Sequence, residues 1–276
     1  MKLDAHQHFW RYSAAEYPWI PAGSALQRDW LPEDLAALQR PLGFDGSIAV
    51  QARQSLAETR WLLELAEADP RIVGVVGWVD LQADDIAAQL ASLSRNPRLV
   101  GVRHVVQDEP EDRFMLRPAF VRGIEALRQV EFTYDLLVYP RQLAAAVELV
   151  RRIPEQPFVL DHGAKPLIKA GVLSPWREEI QELARHDNVC CKISGLITEA
   201  DHGAWQSTDL RPYLDVLVDA FGPRRLMFGT DWPVCLLAGS YETVEATVRD
   251  YFRGLSPEDA EGFWGRNCAD FYLRRD

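Results

Sequence analysis

Long apolar runs are missing from this chain of 276 residues. It contains no stretch of about 18 apolar residues, and its first residues lack the apolar segment that a secretory signal carries. We therefore expect neither a transmembrane helix nor export, and the sequence predicts a cytoplasmic protein. It gives no indication of the oligomeric state.

Basic residues are also in short supply, with 30 Lys and Arg against 41 Asp and Glu and a net charge of −11. An acidic protein repels phosphate backbones and anionic lipid headgroups, so we predict neither nucleic acid nor membrane as a partner. Cysteine is scarce as well. Cys190 and Cys191 are adjacent, and no pair shows the C-x-x-C spacing of a metal site, so we expect reduced, buried cysteines.

Three catalytic signatures are absent, namely the G-x-S-x-G elbow, the P-loop and G-x-G-x-x-G. Ser194-Gly195 follows a predicted strand but lacks the elbow pattern, which argues against a serine nucleophile. Repeats, low-complexity segments and linkers are missing too. The chemistries that the three signatures carry are thereby set aside, and we expect no organic cofactor.

Short apolar segments alternate along the chain with segments whose apolar residues recur at helical spacing, as in 56–68. The short segments are typical of parallel strands that are covered on both sides. The predicted strands are 3–9, 46–51, 72–78, 99–106, 132–139, 157–162, 189–194 and 225–229. The predicted helices begin near 31 and then span 56–68, 85–93, 118–130, 143–152, 176–185, 210–221, 243–252 and 257–266.

This alternation predicts an α/β fold, a single (β/α)8 TIM barrel over residues 1–276, with a doubly wound open sheet as the alternative. Catalytic groups of such barrels lie at the C-terminal ends of the strands and in the loops that follow. Polar residues end most of the predicted strands, which favours an enzyme because packing does not explain them. They are His6, His8, Gln51, Arg53, Trp78, Asp80, Arg103, His104, Tyr139, Asp161, His162, Lys192, Ser194 and Asp231.

His6 and His8 lie two residues apart in the first strand and therefore share a face. Two such imidazoles suit a divalent metal or a network that polarises a carbonyl oxygen. Asp231 ends the last strand and could act as general base for water, and His162 could contact a carbonyl oxygen or a metal. The alternatives are structural: an isolated H-x-H is common, Asp231 could be a helix cap or a buried ion pair, and His162 a core residue.

Further side chains could hold the oxygens or the ring of a polar substrate. The polar candidates are Gln51, Arg103, His104, Tyr139 and Lys192, and the aromatic ones are Trp10, Trp78 and Trp232. An arginine suits a carboxylate through its bidentate fork, whereas a lysine offers a compact charge. Each could equally form an interior ion pair or pack in the core. The stretch 10–30 is long for a barrel loop, and we predict that it covers the site.

Two motifs, His6-Gln7-His8-Phe9-Trp10 and Gly229-Thr230-Asp231-Trp232-Pro233, resemble the amidohydrolase superfamily. The likeness is greatest to its branch of sugar-lactone and pyrone-lactone hydrolases, and it runs over essentially the whole chain. Other matching segments are 17–19, 50–52, 101–104, 161–162 with 165–166, and 191–196. One departure is Gly163-Ala164, where the family has Ala-Gly; we expect it to be neutral.

The resemblance implies a carboxylic ester hydrolase of carbohydrate catabolism that opens a sugar lactone, with the lactone of L-fucose as the expected substrate. Asp231 would activate water, while His6, His8 and His162 polarise the carbonyl. No lysine or histidine accompanies Tyr139 at the end of the fifth strand. The resemblance therefore implies at most one divalent ion, with zinc expected.

That ion would be held by His6, His8 and Asp231, with His162 as an optional ligand, although relatives in this branch can work without metal. Three alternatives stay open. They are a metal-dependent decarboxylase of an aromatic or muconic acid, a pyrone-dicarboxylate lactonase and a non-catalytic barrel that binds sugars or a partner protein.

Overall fold

A computed structural model describes residues 1–273. Its strands all run parallel and follow one another around one sheet in chain order. They are β1 (Leu3–Gln7), β2 (Gly46–Val50), β3 (Ile72–Gly77), β4 (Leu99–His104), β5 (Thr133–Leu136), β6 (Phe158–Leu160), β7 (Val189–Ile193) and β8 (Leu226–Phe228). A doubly wound sheet reverses its strand order at a switch point. The sequential order excludes that alternative and confirms the predicted barrel.

The sheet closes just beyond the ends of β1 and β8. The amide of His8 donates to the carbonyl of Trp232 at 2.7 Å, and the amide of Asp231 donates to the carbonyl of His6 at 2.8 Å. The last rung of the nearly closed barrel is therefore formed by the backbone of the residues predicted to be functional. Their side chains are placed by the barrel wall itself.

Helices surround the barrel and connect the strands. They are α1 (Pro32–Gln39), α2 (Leu56–Ala68), α3 (Ile86–Leu93), α4 (Pro118–Leu127), α5 (Leu143–Arg152), α6 (Trp176–Leu183), α7 (Ser207–Phe221), α8 (Tyr241–Phe252), α9 (Pro257–Glu261) and α10 (Asn267–Tyr272). Shorter helical turns include Arg128–Val130, Asp161–Ala164, Leu196–Glu199 and the π turn Gly262–Arg266. No helix within residues 1–273 combines the length and apolarity that crossing a membrane requires.

Most predicted elements are confirmed, and two helices match to the residue. The strands end one to three residues earlier than predicted, because the polar residues at their ends leave the ladder. In β1 a register shift between Asp4 and Gln7 interrupts the regular pairing. Asp4 would share a face with His6 by strict alternation, yet it accepts a hydrogen bond from the Tyr241 hydroxyl of α8 at 3.1 Å.

The barrel interior is apolar at its N-terminal end. Leu3, Ile48, Val76 and Met227 pack there against Tyr272 of α10, a helix that the sequence did not predict. A larger apolar layer fills the space between strands and helices. All four cysteines are free and, apart from the partly buried Cys190, they are buried, as expected. The polar groups are thereby concentrated at the C-terminal end of the barrel.

Candidate active site

Three acceptor atoms converge where β1 meets β8. His8 Nε2 lies 3.2 Å from His6 Nε2 and 3.1 Å from Asp231 Oδ1, and His6 Nε2 lies 3.8 Å from the same oxygen. The three side chains are buried. The barrel thus brings together two imidazoles from the start of the chain and a carboxylate from near its end.

The hydrogen bonds around the two imidazoles indicate where their protons are. His8 Nδ1 lies 2.8 Å from the carbonyl oxygen of Val50, which can only accept, so Nδ1 carries the proton and Nε2 a lone pair. His6 Nδ1 lies 3.3 Å from the Asp161 carboxylate and Nε2 lies 3.2 Å from Arg103 Nη1, which can only donate, so Nδ1 carries the proton and Nε2 is an acceptor too. Burial lowers the pKa of His6 well below 6.5, which keeps its imidazole uncharged.

The Nε2 lone pairs of His6 and His8 and the Asp231 Oδ1 oxygen therefore face one another, and none of the three atoms carries a proton. Lone pairs at this separation repel, and a cation among them removes the repulsion. Neutral imidazole nitrogens with one carboxylate are a donor set that suits divalent zinc. The group formed by His6, His8 and Asp231 fits a divalent metal ion.

His162 lies beside this group on the turn that follows β6. Its Nε2 atom is 4.0 Å from Asp231 Oδ1, and its Nδ1 atom is 2.9 Å from the Ser194 hydroxyl. Burial lowers the pKa of His162 to about 4, so its imidazole is uncharged at neutral pH. With Ser194 as donor to Nδ1, the imidazole proton sits on Nε2 and faces the carboxylate.

Asp231 adopts a backbone conformation that is rare outside glycine, with φ of 60°. Such conformations cost of order 1–3 kcal/mol and cluster at functional sites. Burial alone would raise the pKa of Asp231, but the imidazoles of His162 and His8 beside it lower this pKa below 3.8. The carboxylate is therefore ionised at neutral pH.

Gly195 makes room for this arrangement. A Cβ atom there would lie 2.6 Å from His162 Nδ1 and 3.1 Å from Asp231 Oδ2, and its φ of +62° also disfavours a side chain. Sequence reasoning named Gly195 within a missing elbow and within the matching segment 191–196, but gave it no role. The close approach of His162 and Asp231 is what excludes a side chain at position 195.

Arg103 and Gln51 form the neighbouring part of the floor. Arg103 Nη2 donates to Gln51 Oε1 at 2.8 Å, and Nη1 donates to Asp161 Oδ2 at 3.0 Å. The amide of Gln51 is thereby oriented, and its buried Nε2 has no hydrogen-bond partner within residues 1–273. This leaves Gln51 Nε2 as an available donor in the wall of the cavity.

A closed network of ions lies beneath the imidazoles. Lys192 Nζ contacts Asp135 Oδ2 at 2.6 Å, Asp161 Oδ1 at 3.0 Å and His6 Nδ1 at 3.2 Å. Tyr272 donates to Asp135 from the opposite end of the barrel. Lys192 is completely buried and its contacts are all within the protein.

The convergent group opens into a cavity of about 950 Å³. His8, Gln51, Arg103, Tyr139, His162 and Asp231 are the predicted residues that line it. The loop 10–30 forms part of its wall, as predicted, through Ala15, Glu16, Pro18, Trp19 and Pro21. Trp19 is 40% exposed and donates to the Ala52 carbonyl at 3.0 Å, so it offers an indole face that sequence reasoning missed.

The remaining predicted contacts lie outside this lining, and their roles stay predictions. Trp10 and Trp232 are fully buried in aromatic packing. Trp78 donates to His104 at 3.3 Å, and His104 in turn pairs with Glu109 at 2.8 Å. Only Glu109 of these three reaches the cavity.

Known proteins resemble this chain over its whole length. The pattern of the family described as Amidohydrolase matches residues 3–274. An L-fucono-1,5-lactonase of Burkholderia multivorans is 44% identical over 99% of this chain and 96% of its own length. An L-fucono-1,5-lactonase of Burkholderia ambifaria is 37% identical over 98% of this chain and 95% of its own length.

A solved structure shows the same architecture. The crystal structure of an amidohydrolase from Burkholderia multivorans with bound zinc superposes with a TM-score of 0.95, at 44% identity and with all of both chains covered. The group of His6, His8 and Asp231 fits a divalent metal ion, and this similar structure contains one.

Proposed function

The chain belongs to the amidohydrolase family, and we propose from this premise that it hydrolyses a sugar lactone, L-fucono-1,5-lactone or a close relative, to the open aldonic acid. The convergence of His6 with His8 and Asp231, the last two of which line one cavity, carries the proposal. This convergence supports a mechanism with a base, lone pairs for a cation and a donor imidazole around the lactone carbonyl. The reaction belongs to carbohydrate catabolism, and the cytoplasmic location stays a prediction.

Asp231 acts as the general base. It takes a proton from water while the water oxygen bonds to the lactone carbonyl carbon, which gives a tetrahedral intermediate. The bond from that carbon to the ring oxygen then breaks, and Asp231 returns the proton to the departing oxygen. One water is consumed, and the acid that forms ionises at neutral pH and releases one proton.

The imidazoles stabilise charge on the carbonyl oxygen. His162, with its proton on Nε2, donates to that oxygen as negative charge develops there. His6, His8 and Asp231 would hold a divalent ion, with zinc as the expected ion and His162 as an optional ligand, and the bound ion would supply a Lewis acid. His6 and His8 are kept in the tautomer that this requires by Arg103 and the Val50 carbonyl.

Substrate oxygens are held by the polar lining. Gln51 Nε2 and Arg103 face the cavity and orient hydroxyls, Tyr139 contacts the sugar from the wall, and Trp19 offers an apolar face. The other predicted contacts act indirectly. Lys192 positions His6, His104 positions Glu109, Trp78 positions His104, and Trp10 and Trp232 support the covering loop by packing.

A lactone panel with a pH indicator tests the proposal. We expect L-fucono-1,5-lactone to open far faster than it does spontaneously, with one proton released per molecule, and a chelator to reduce the rate until zinc is restored. Carbon dioxide released from an aromatic acid would favour the decarboxylase alternative instead. Binding of lactones without turnover would overturn the proposal and favour a sugar-binding barrel.

A further inference from the structure

Every lysine and arginine side chain that lines the cavity within residues 1–273 already contacts a carboxylate. Arg103 pairs with Asp161 at 3.0 Å, deep in the barrel. Nearer the entrance, Lys165 Nζ lies 3.6 Å from Glu199 Oε1, and Arg53 Nη1 lies 2.5 Å from Glu16 Oε1. These three cations are the whole basic lining, and all three are occupied.

The carboxylates of the lining outnumber the cations. Glu16, Asp108, Glu109, Glu199 and Asp231 face Arg53, Arg103 and Lys165, with the histidines uncharged or engaged with backbone oxygens. An incoming anion would therefore meet an excess of carboxylates without gaining an unpaired lysine or arginine. The binding of a neutral polyol would not be weakened by this charge, because hydroxyl groups donate hydrogen bonds to carboxylates.

We propose, on the basis of the proposed lactonase function, that Glu199 and Glu16 determine specificity. By occupying Lys165 and Arg53 they restrict the site to neutral sugar lactones and exclude lactones that carry a second acid group. The contacts are suited to this task. Glu199 is three-quarters or more buried, and Lys165 lies 5.5 Å from the ring of Tyr139, which lines the same cavity.

The same pairs act on the product. Ring opening converts a neutral lactone into an anionic aldonate, so charge appears only after the reaction. The aldonate carboxylate forms beside Asp231, within a lining whose lysine and arginine side chains are all paired. Repulsion then favours release of the product over retention, and product inhibition is weak.

Selectivity measurements on Glu199→Gln, Glu16→Gln and the double variant test this inference. We compare kcat/KM for L-fucono-1,5-lactone with that for an aldarolactone, which carries an extra carboxylate. The ratio of the neutral to the anionic substrate falls at least tenfold in the double variant, because Lys165 and Arg53 become available. Inhibition by L-fuconate becomes about tenfold tighter.

Two controls accompany the variants. Glu199→Asp keeps the charge and keeps the wild-type ratio. Glu111→Gln removes an exposed carboxylate that pairs with Arg117 outside the cavity, and it leaves the ratio unchanged. A double variant with the wild-type ratio and the wild-type inhibition constant would overturn the inference.

The wild-type enzyme provides a test that does not depend on any variant. Salt screens charge repulsion, so kcat/KM for the aldarolactone rises with ionic strength while that for the neutral lactone stays constant. An aldarolactone processed as well as the neutral lactone at low salt would also overturn the inference. Failure of the proposed function looks different, since neither lactone would then be hydrolysed.

Discussion

Two layers of buried polar side chains lie one above the other in the barrel. The upper layer consists of His6, His8, His162 and Asp231, and the lower layer consists of Asp135, Asp161, Lys192 and Tyr272. Both are buried. The lower layer pairs its charged groups with one another, whereas the upper layer keeps the Nε2 lone pair of His8 beside an ionised carboxylate, where a ligand or a cation can use it.

This difference indicates that the upper layer is catalytic and the lower layer is structural. In the lower layer burial would lower the pKa of Lys192, but Asp135 and Asp161 raise it, so the lysine is charged and fully engaged. In the upper layer Asp231 is ionised without a lysine or arginine partner in hydrogen-bond contact. Burial and charge alone do not identify a catalytic group; unused hydrogen-bonding capacity does.

Removing the upper-layer carboxylate has the largest expected effect. In Asp231→Asn the base is lost, and we expect kcat for L-fucono-1,5-lactone to fall by roughly 100- to 10,000-fold. The fold is retained, because an amide N–H can donate to the lone pair of His8. Steady-state rates and urea unfolding of the same preparation measure both effects.

Asp84→Asn serves as the control, since this exposed aspartate lies outside the cavity and its only ion pair within residues 1–273 is a 3.8 Å contact with Arg122. It keeps the wild-type rate. A fully active Asp231→Asn enzyme would show that the base is another group and would remove the distinction between the layers.

Removing the lower-layer cation acts on stability first. In Lys192→Met the carboxylates of Asp135 and Asp161 lose their shared cation in a buried site, and breaking such a pair costs about 3–5 kcal/mol. We expect the free energy of unfolding, measured with urea, to fall by that amount. Replacing Asp135 by Asn in the same chain recovers part of the loss, because one uncompensated charge disappears.

The matched surface control is Lys169→Met, which removes an exposed pair with Asp201 at 3.4 Å. Exposed pairs are worth about 0–1 kcal/mol, so this variant stays near the wild type. Equal stability of Lys192→Met and Lys169→Met would mean that the lower layer is not a support.

The sequence could predict the barrel and the members of the upper layer, but it could not assign side chains to layers. Arg103 and Lys192 are each the penultimate residue of a strand, β4 and β7. Strands in a barrel are tilted and staggered, so equal positions along two strands lie at different heights. Arg103 consequently reaches the cavity, whereas Lys192 lies beneath it.

Other features depended on contacts that no local pattern specifies. α10 spans only six residues and shows little periodicity, yet its Tyr272 completes the lower layer. Trp19 was visible within a matching motif, but its position at the cavity wall depends on how the loop 10–30 folds back. Glu199 ends the helical turn Leu196–Glu199 without any sequence motif that marks it, and only its proximity to Lys165 gives it a role.

The smallest expected effect concerns the stability contributed by Glu58, a buried carboxylate next to the cavity residues Ala52 and Arg53. Glu58, in the first turn of α2, accepts hydrogen bonds from the amides of Ala52 and Arg53, both at 3.0 Å, and from the Tyr17 hydroxyl at 3.1 Å. It thereby joins the covering loop to the loop after β2. Burial raises the pKa of Glu58 to about 7, despite these hydrogen bonds and the nearby charge of Arg53.

The ordinary value of this pKa is 4.5, so between pH 4.5 and about 7 the folded protein binds the proton more tightly than the unfolded chain. The free energy of unfolding must then decrease as pH rises through this window. The expected decrease from pH 5 to pH 8 is roughly 2–3 kcal/mol. The variant Glu58→Gln lacks this pH-dependent contribution, whereas Glu64→Gln, which replaces an exposed residue of the same helix, retains it.

Identical pH dependence in Glu58→Gln and the wild type would mean that burial does not disfavour the charged form of Glu58.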